Sequence, residues 1–250
     1  MKPLIVETPV YTVDGALAAA ESGVDRLELC ADYGEGGVTA SAGMLGFLKS
    51  RLTIPVFAMI RPRGGDFVYG TDELSVMARD IGVLGSLGAD GFVFGALTPA
   101  GEVDEAACAG LIAAAAGRPC TFHRAVDVAA DPAEALEVII RLGFRRVLTS
   151  GAADRVQDGL QLIASLHRIA AGRIIVMPGG GLEPQDVRSL IRLCDGAEAL
   201  CEIHAGCRGY RPTLSTFSRA SVRLSVDQLS STRVLTVDPD RVRAFREVTS

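Results

Sequence analysis

The sequence predicts an α/β protein built as a single (β/α)8 barrel, the TIM-barrel architecture, and three observations lead there. Eight short β-rich runs alternate strictly with Ala- and Leu-rich stretches of helical length, the pattern of βαβ units around a parallel sheet. A glycine recurs two or three residues before a strand, at Gly23 before Arg26, Gly88 before Gly91 and Gly143 before Arg146. There it ends a helix in the left-handed conformation without a Cβ penalty. The length of 250 residues is that of one such barrel. A doubly wound open sheet is the competing architecture, but it needs no eighth strand, and no strand here runs into a G-x-G-x-x-G turn.

The expected strands are 4–7, 26–30, 55–61, 91–95, 120–124, 146–150, 174–177 and 200–204. Between them, apolar-periodic segments near 12–22, 42–52, 72–87, 104–116, 132–142, 154–171 and 184–194 read as helices. Several open on a capping or first-turn residue, among them Asp72, Asp104, Asp131 before Pro132, and Glu183 before Pro184. Residues 210–237, rich in Ser, Thr and Arg, break the rhythm and read as a long loop after the eighth strand. Asp238 and Pro239 then open a last helix to about Val248, so that 1–250 forms one domain.

Composition narrows the function. At 48% hydrophobic and 22% charged residues, the chain can bury a large core. Its net charge of −5 and pI near 5.3 leave no basic footprint for phosphate backbones, so neither nucleic acid nor membrane is an expected partner. A small soluble ligand is. The start reads as no signal peptide and no run has the length of a membrane span, which predicts a cytoplasmic protein. Six cysteines without a C-x-x-C pair predict free thiols.

In a parallel barrel the loops after the strands gather at one rim, where barrel enzymes bind and react. The strand ends here are polar: Glu7, Glu28 with Cys30, Arg61, His123 with Arg124, Thr149 with Ser150, and His204. Alternation sends Arg26, Glu28 and Cys30 inward and Leu27 and Leu29 outward, and likewise turns His123 with Thr121, and His204 with Glu202, to the axis. Arg26 and Glu202 then lie low in the barrel, where charges survive only if paired, and are expected in one structural ionic cluster. Glu7, Glu28, Arg61, His123 and His204 remain as the candidate catalytic site.

Three readings of that constellation stay open. As an acid/base site, His or Glu moves a proton while the Arg61 fork holds an anion. As a metal site, His123, His204 and one Glu offer nitrogen and oxygen ligands for a borderline divalent ion. As a structural network, the groups satisfy one another. The triple glycine Gly179, Gly180, Gly181 after strand seven, with Thr149 and Ser150, offers an anion or phosphate pocket, or else tight turns needed for packing.

Six stretches carry a family resemblance: DRLELCADYGEGGV from Asp25, MIRPRGGDFV from Met59, TFHRAVDV from Thr121, LTSGAA from Leu148, VMPGGGL from Val176 and EIHAGC from Glu202. In this order over about residues 4–207, the chain resembles the CutC family of copper homeostasis proteins. The resemblance implies a cytoplasmic barrel that forms a homodimer and is associated with copper. It places a metal-binding thiol at Cys30, and a cleft lined by the five site residues and the 179–181 loop. Past Cys207 no motif matches. Two functions follow as expectations: copper handling through Cys30, or a barrel enzyme acting on a small anionic or phosphorylated molecule. A non-catalytic scaffold is the third.

Overall fold

The computed structural model describes residues 4–194, 200–217, 219, 221–222 and 232–249. Eight parallel strands and eight helices alternate: β1 (Ile5–Val10), α1 (Val13–Glu21), β2 (Arg26–Leu29), α2 (Ala42–Lys49), β3 (Val56–Met59), α3 (Thr71–Ser86), β4 (Gly91–Phe94), α4 (Glu105–Ala114), β5 (Cys120–Phe122), α5 (Pro132–Leu142), β6 (Arg146–Thr149), α6 (Val156–Ala170), β7 (Ile175–Pro178), α7 (Pro184–Leu193), β8 (Glu202–His204) and, after a two-stranded ribbon, α8 (Pro239–Thr249). The sheet runs in the order β7-β6-β5-β4-β3-β2-β1-β8, and a parallel bridge from Gly179 to His204 closes it into a cylinder. The predicted (β/α)8 barrel is the fold. No described helix is long and apolar enough to cross a membrane.

Local chemistry sets the helix ends. The Asp131 carboxylate accepts from the amides of Ala133 and Glu134, and Pro132 opens the first turn of α5 without wasting a donor. Asp104 caps α4 through the Ala107 amide at 2.9 Å. Outward residues of the strands, such as Leu27, Phe92, Phe122 and Val147, pack against the helices and are fully buried there. Truncating Leu27 to Ala would cost about 2–5 kcal/mol by transfer and cavity terms. Inside the cylinder a small apolar plug of Cys30, Phe57, Met59 and Val93 stands apart from that core.

Three features depart from expectation. β1 runs on to Val10, so Glu7 lies mid-strand and deeper than a strand end. β5 stops at Phe122, and His123 becomes the cap of a short 3-10 turn, Arg124–Val128. Strand alternation therefore no longer governs Arg124, which turns to the mouth. The segment 210–237 is not one loop at its ends: Arg208–Pro212 (β9) pairs antiparallel with Arg233–Val237 (β10). The ribbon is tied to the barrel where Thr12 Oγ1 donates to the Leu235 carbonyl at 3.0 Å. Most of the remainder, 218, 220 and 223–231, lies outside the described residues. The last helix begins at Pro239, as the Asp238-Pro239 pair predicts.

Candidate functional site

The barrel interior carries two tiers of charge. In the lower tier, Arg26 donates through Nε to Glu7 and through Nη2 to Glu202, and Arg146 donates to both Glu202 oxygens at 3.0 and 3.2 Å. Both guanidiniums lie on the Phe57 ring, 4.8 and 5.1 Å from its centroid. Burial alone would raise the Glu202 carboxyl, but Arg26 and Arg146 hold it below its ordinary value. The expected internal ionic cluster of Arg26 and Glu202 is present, enlarged by Glu7 and Arg146.

The upper tier is less complete. His204 Nε2 lies 2.9 Å from Glu28 Oε2 and 3.9 Å from Glu7 Oε1. Burial opposes charge on this imidazole, yet the carboxylates of Glu28 and Glu7 raise its pKa, and burial of Glu28 is likewise outweighed by His204, which holds that carboxyl low. Each partner favours the charged form of the other. Three acidic side chains (Glu7, Glu28, Glu202) face Arg26, Arg146 and His204, and the Arg61 guanidinium is buried in the same interior. Even so, Oε1 of Glu7 and Oε1 of Glu28 are buried without a hydrogen-bond partner. Such atoms cost about 1–3 kcal/mol each unless a ligand or water meets them.

His123 stands across the same opening. Its Nδ1 accepts from the Ala125 amide at 3.3 Å, its ring packs on Phe67 with centroids 4.7 Å apart, and its Nε2 is buried and unpartnered. Burial first, and the Arg61 charge second, lower its pKa to about 4. This histidine is neutral at physiological pH.

Above these groups opens a cleft of about 610 Å³, lined by Glu28, Arg61, His123 and His204 and by the Gly180–Gly181 turn. Four further guanidiniums reach it: Arg124, Arg155, Arg208 and Arg241. Gly180 (φ +104°) and Gly181 (φ +64°) occupy conformations that disfavour side chains, and Cβ atoms there would stand 3.0 Å from the Arg124 guanidinium carbon and 2.9 Å from an Arg155 methylene. The glycines thus let two arginines close on the turn. Arg124 is oriented by Asp127 at 2.8 Å and Ser150 Oγ at 2.7 Å.

Not every predicted residue faces this space. Arg61 lines it, but its Nη1 donates to the carbonyls of Glu35 and Gly37 and its Nη2 to that of Gly65, so most of its fork latches loops. Thr149 and Ser150 are turned to Asp127, which accepts from both side chains and from the amides of Ser150 and Ala152. Gly179 lies beneath, closing the sheet on His204. Glu7 lies under the floor between the two tiers. Sequence reasoning named Arg124 only as a strand-end residue and missed Asp127, Arg155, Arg208 and Arg241.

Among the described residues, one group of potential metal donors converges, Glu7, Glu28 and His204, with ligand atoms within 4.8 Å of one another. No cysteine joins it. Cys30 is buried, its Sγ donates to Glu28 Oε2 at 3.7 Å, and burial together with the Glu28 charge pushes its pKa well up. Its soft neighbour is Met59, which with Cys30 flanks Gly37. Cu(I) binds thiolates, so a copper ion at Cys30 would have to displace a proton that burial and the Glu28 charge hold on the sulfur.

A closed parallel barrel with convergent acid, base and guanidinium groups at the ends of its strands has the layout of barrel proteins that bind small molecules at the rim. The model of the CutC family matches residues 4–206, and the chain belongs to that family. It is 44% identical over 245 residues to the human protein named copper homeostasis protein cutC homolog, covering 98% of this chain and 88% of that one. It is 48% identical over 203 residues to a CutC family protein of Xylella fastidiosa, covering 81% and 74%. A crystal structure described as the putative copper homeostasis protein CutC of Streptococcus agalactiae superposes with a TM-score of 0.75 at 30% identity, covering 80% of this chain and 97% of that one.

Proposed function

We propose that this CutC family barrel binds a small anionic molecule in its rim cleft and performs acid/base chemistry on it. The observation that supports this most is the pairing of unsatisfied, buried reactive atoms, Glu28 Oε1 and His123 Nε2, with a ring of guanidiniums over one 610 Å³ space. Groups left unpaired at a cost of stability are the mark of a site awaiting a ligand. Arg124 and Arg155, beside the Gly180–Gly181 turn, hold the anionic end. Arg61 keeps the walls in place. Glu28 is the proton acceptor, and the His204 imidazolium keeps it ionised. Among the described residues the cleft holds no lysine, and Lys49 is paired with Asp90 at 2.6 Å, so the reading uses no imine.

A thermal-shift screen of phosphorylated and carboxylated small molecules tests the reading. A hit should raise the melting temperature of the wild type and lose that effect in Arg124→Ala, whose guanidinium touches no buried ionic partner of the lower tier. Silence across a broad anion library overturns it. The chain's copper association comes from the names its relatives carry, and the feature that favours it is the presence of Cys30 and Met59 in one buried cluster inside the barrel. The protonated state of Cys30 weighs against that thiol as the ligand. Cytoplasmic location and a homodimer remain part of the same proposal.

A further inference from the structure

His123 is the one buried histidine of the cleft that no acid holds, and its surroundings fix more than its charge. The Ala125 amide donates to Nδ1, so Nδ1 presents a lone pair and the ring proton of the neutral imidazole must sit on Nε2. Gly95 backs the Nδ1 edge so closely that a Cβ there would stand 2.9 Å from it, and Phe67 covers the ring. Phe67 on the ring face and the Ala125 amide on Nδ1 hold the imidazole in this orientation. Nε2–H is left as a buried donor with nothing to donate to. On the same cleft, Glu28 Oε1 is a buried acceptor with nothing to accept.

We infer that His123 is an electrophilic catalytic residue, donating a hydrogen bond from its neutral Nε2–H to the carbonyl oxygen of an anionic carbonyl substrate whose adjacent C–H is deprotonated by Glu28. This rests on the anion-cleft reading above and adds the substrate class and the reaction to it. A substrate that satisfies both orphan atoms must carry an acceptor oxygen beside a removable hydrogen, and a carbonyl with a hydrogen on the neighbouring carbon does so. In the step, the C–H bond breaks, its proton passes to Glu28 Oε1, and its electron pair forms the enolate. The developing negative charge on oxygen is met by Nε2–H. A neutral donor that is fixed before reaction pays no reorganisation there and does not over-stabilise the ground state. Where that neighbouring carbon also bears a hydroxyl, the hydroxyl proton passes to the former carbonyl oxygen while Glu28 Oε1 returns its proton to the former carbonyl carbon, so carbonyl and hydroxyl exchange places in an isomerisation that needs no oxidant or co-reactant.

Two probes with the same anionic end separate this from simple anion binding. Phosphoglycolohydroxamate carries a planar oxyanion like that of an enediolate; glycerol 1-phosphate carries a tetrahedral carbon and no carbonyl. Titration calorimetry of the wild type should show the hydroxamate bound at least about tenfold more tightly. His123→Phe, which keeps the ring packing, should reduce that preference to near unity by weakening the hydroxamate far more than glycerol 1-phosphate, and His123→Gln, whose amide places a donor near Nε2, should restore part of it. Equal affinity for both probes in the wild type, or a preference that survives in His123→Phe, overturns the inference while the anion cleft stands. Binding of neither probe overturns the anion cleft and this inference with it. A measurement on the unmodified protein stands beside the variants: imidazole 15N spectra at neutral pH must show His123 protonated at Nε2 and bare at Nδ1, and the opposite tautomer or an imidazolium sinks the proposal.

Discussion

Both tiers of the barrel interior set buried acids against buried bases, and they differ in what is left over. Below, Arg26 and Arg146 give their donors to Glu7 and Glu202 and rest on Phe57. Above, Glu28 and His204 pair with each other, but Glu28 Oε1 and His123 Nε2 have no partner. Buried charge that closes on itself fills space and fixes register. Buried charge that stays incomplete is kept for something else. Glu7 joins the tiers, with one oxygen on Arg26 and the other bare beside His204.

The largest effect that sharpens this contrast is on stability. Glu202→Gln removes the acceptor shared by two buried guanidiniums and should destabilise the fold by about 3–5 kcal/mol, read from urea unfolding. Glu28→Gln, by contrast, removes a carboxylate whose Oε2 meets His204 and the Cys30 thiol and whose Oε1 has no partner, and should cost under about 2 kcal/mol while leaving anion-dependent thermal shifts in place. Equal losses in the two variants would erase the distinction between the tiers.

Acid separates the tiers next. His123 is neutral in the folded protein down to about pH 4, whereas in the unfolded chain it takes its proton near the ordinary histidine value. The unfolded state therefore binds more protons between about 6.5 and 4, and stability falls as pH drops through that interval, by about 3 kcal/mol in all. His123→Phe should flatten this limb. The Glu28–His204 pair acts with the opposite sign at its upper end. The raised His204 contributes stability that is fully present below the ordinary histidine value and is lost as pH rises through its folded value. The depressed Glu28 contributes stability present at neutral pH and lost as pH falls through its own low value. His204→Gln should remove the alkaline loss and leave the His123 limb in place. A stability profile without an alkaline loss in the wild type would mean that His204 is not charged.

Much of this was legible in the sequence, and the boundary has a physical cause. The period of two within β2 and β8 placed Arg26, Glu28, Glu202 and His204 on the axis, because alternation in a regular strand leaves no choice. The same rule would turn Arg124 outward with Phe122, but the strand ends at Phe122 and a 3-10 turn re-aims every side chain after it. Thr149 and Ser150 sit at a strand end as read, but Asp127, from another loop, claims them, and partners distant in sequence carry no local signal. Arg208 and Arg241 reach the mouth from the ribbon and the last helix, beyond the stretch where any motif applied. Arg61 was rightly placed at the rim, and only coordinates reveal that backbone carbonyls have taken most of its donors.

The smallest expected effect falls on Cys30, which lies at the border between the open tier and the apolar plug of Phe57, Met59 and Val93. Its Sγ donates to Glu28 Oε2, and burial keeps the thiol protonated. A serine hydroxyl can make the same hydrogen bond in slightly less volume, so Cys30→Ser should change stability by under about 1 kcal/mol. Because Cu(I) must first take the proton from this sulfur, against both desolvation and the neighbouring carboxylate, anaerobic Cu(I) titration should give the same stoichiometry for the wild type and for Cys30→Ser. A site lost in the variant would place copper at the edge of the open tier and make that tier, with its spare Glu7 and Glu28 oxygens, part of a metal centre in place of an acid/base site.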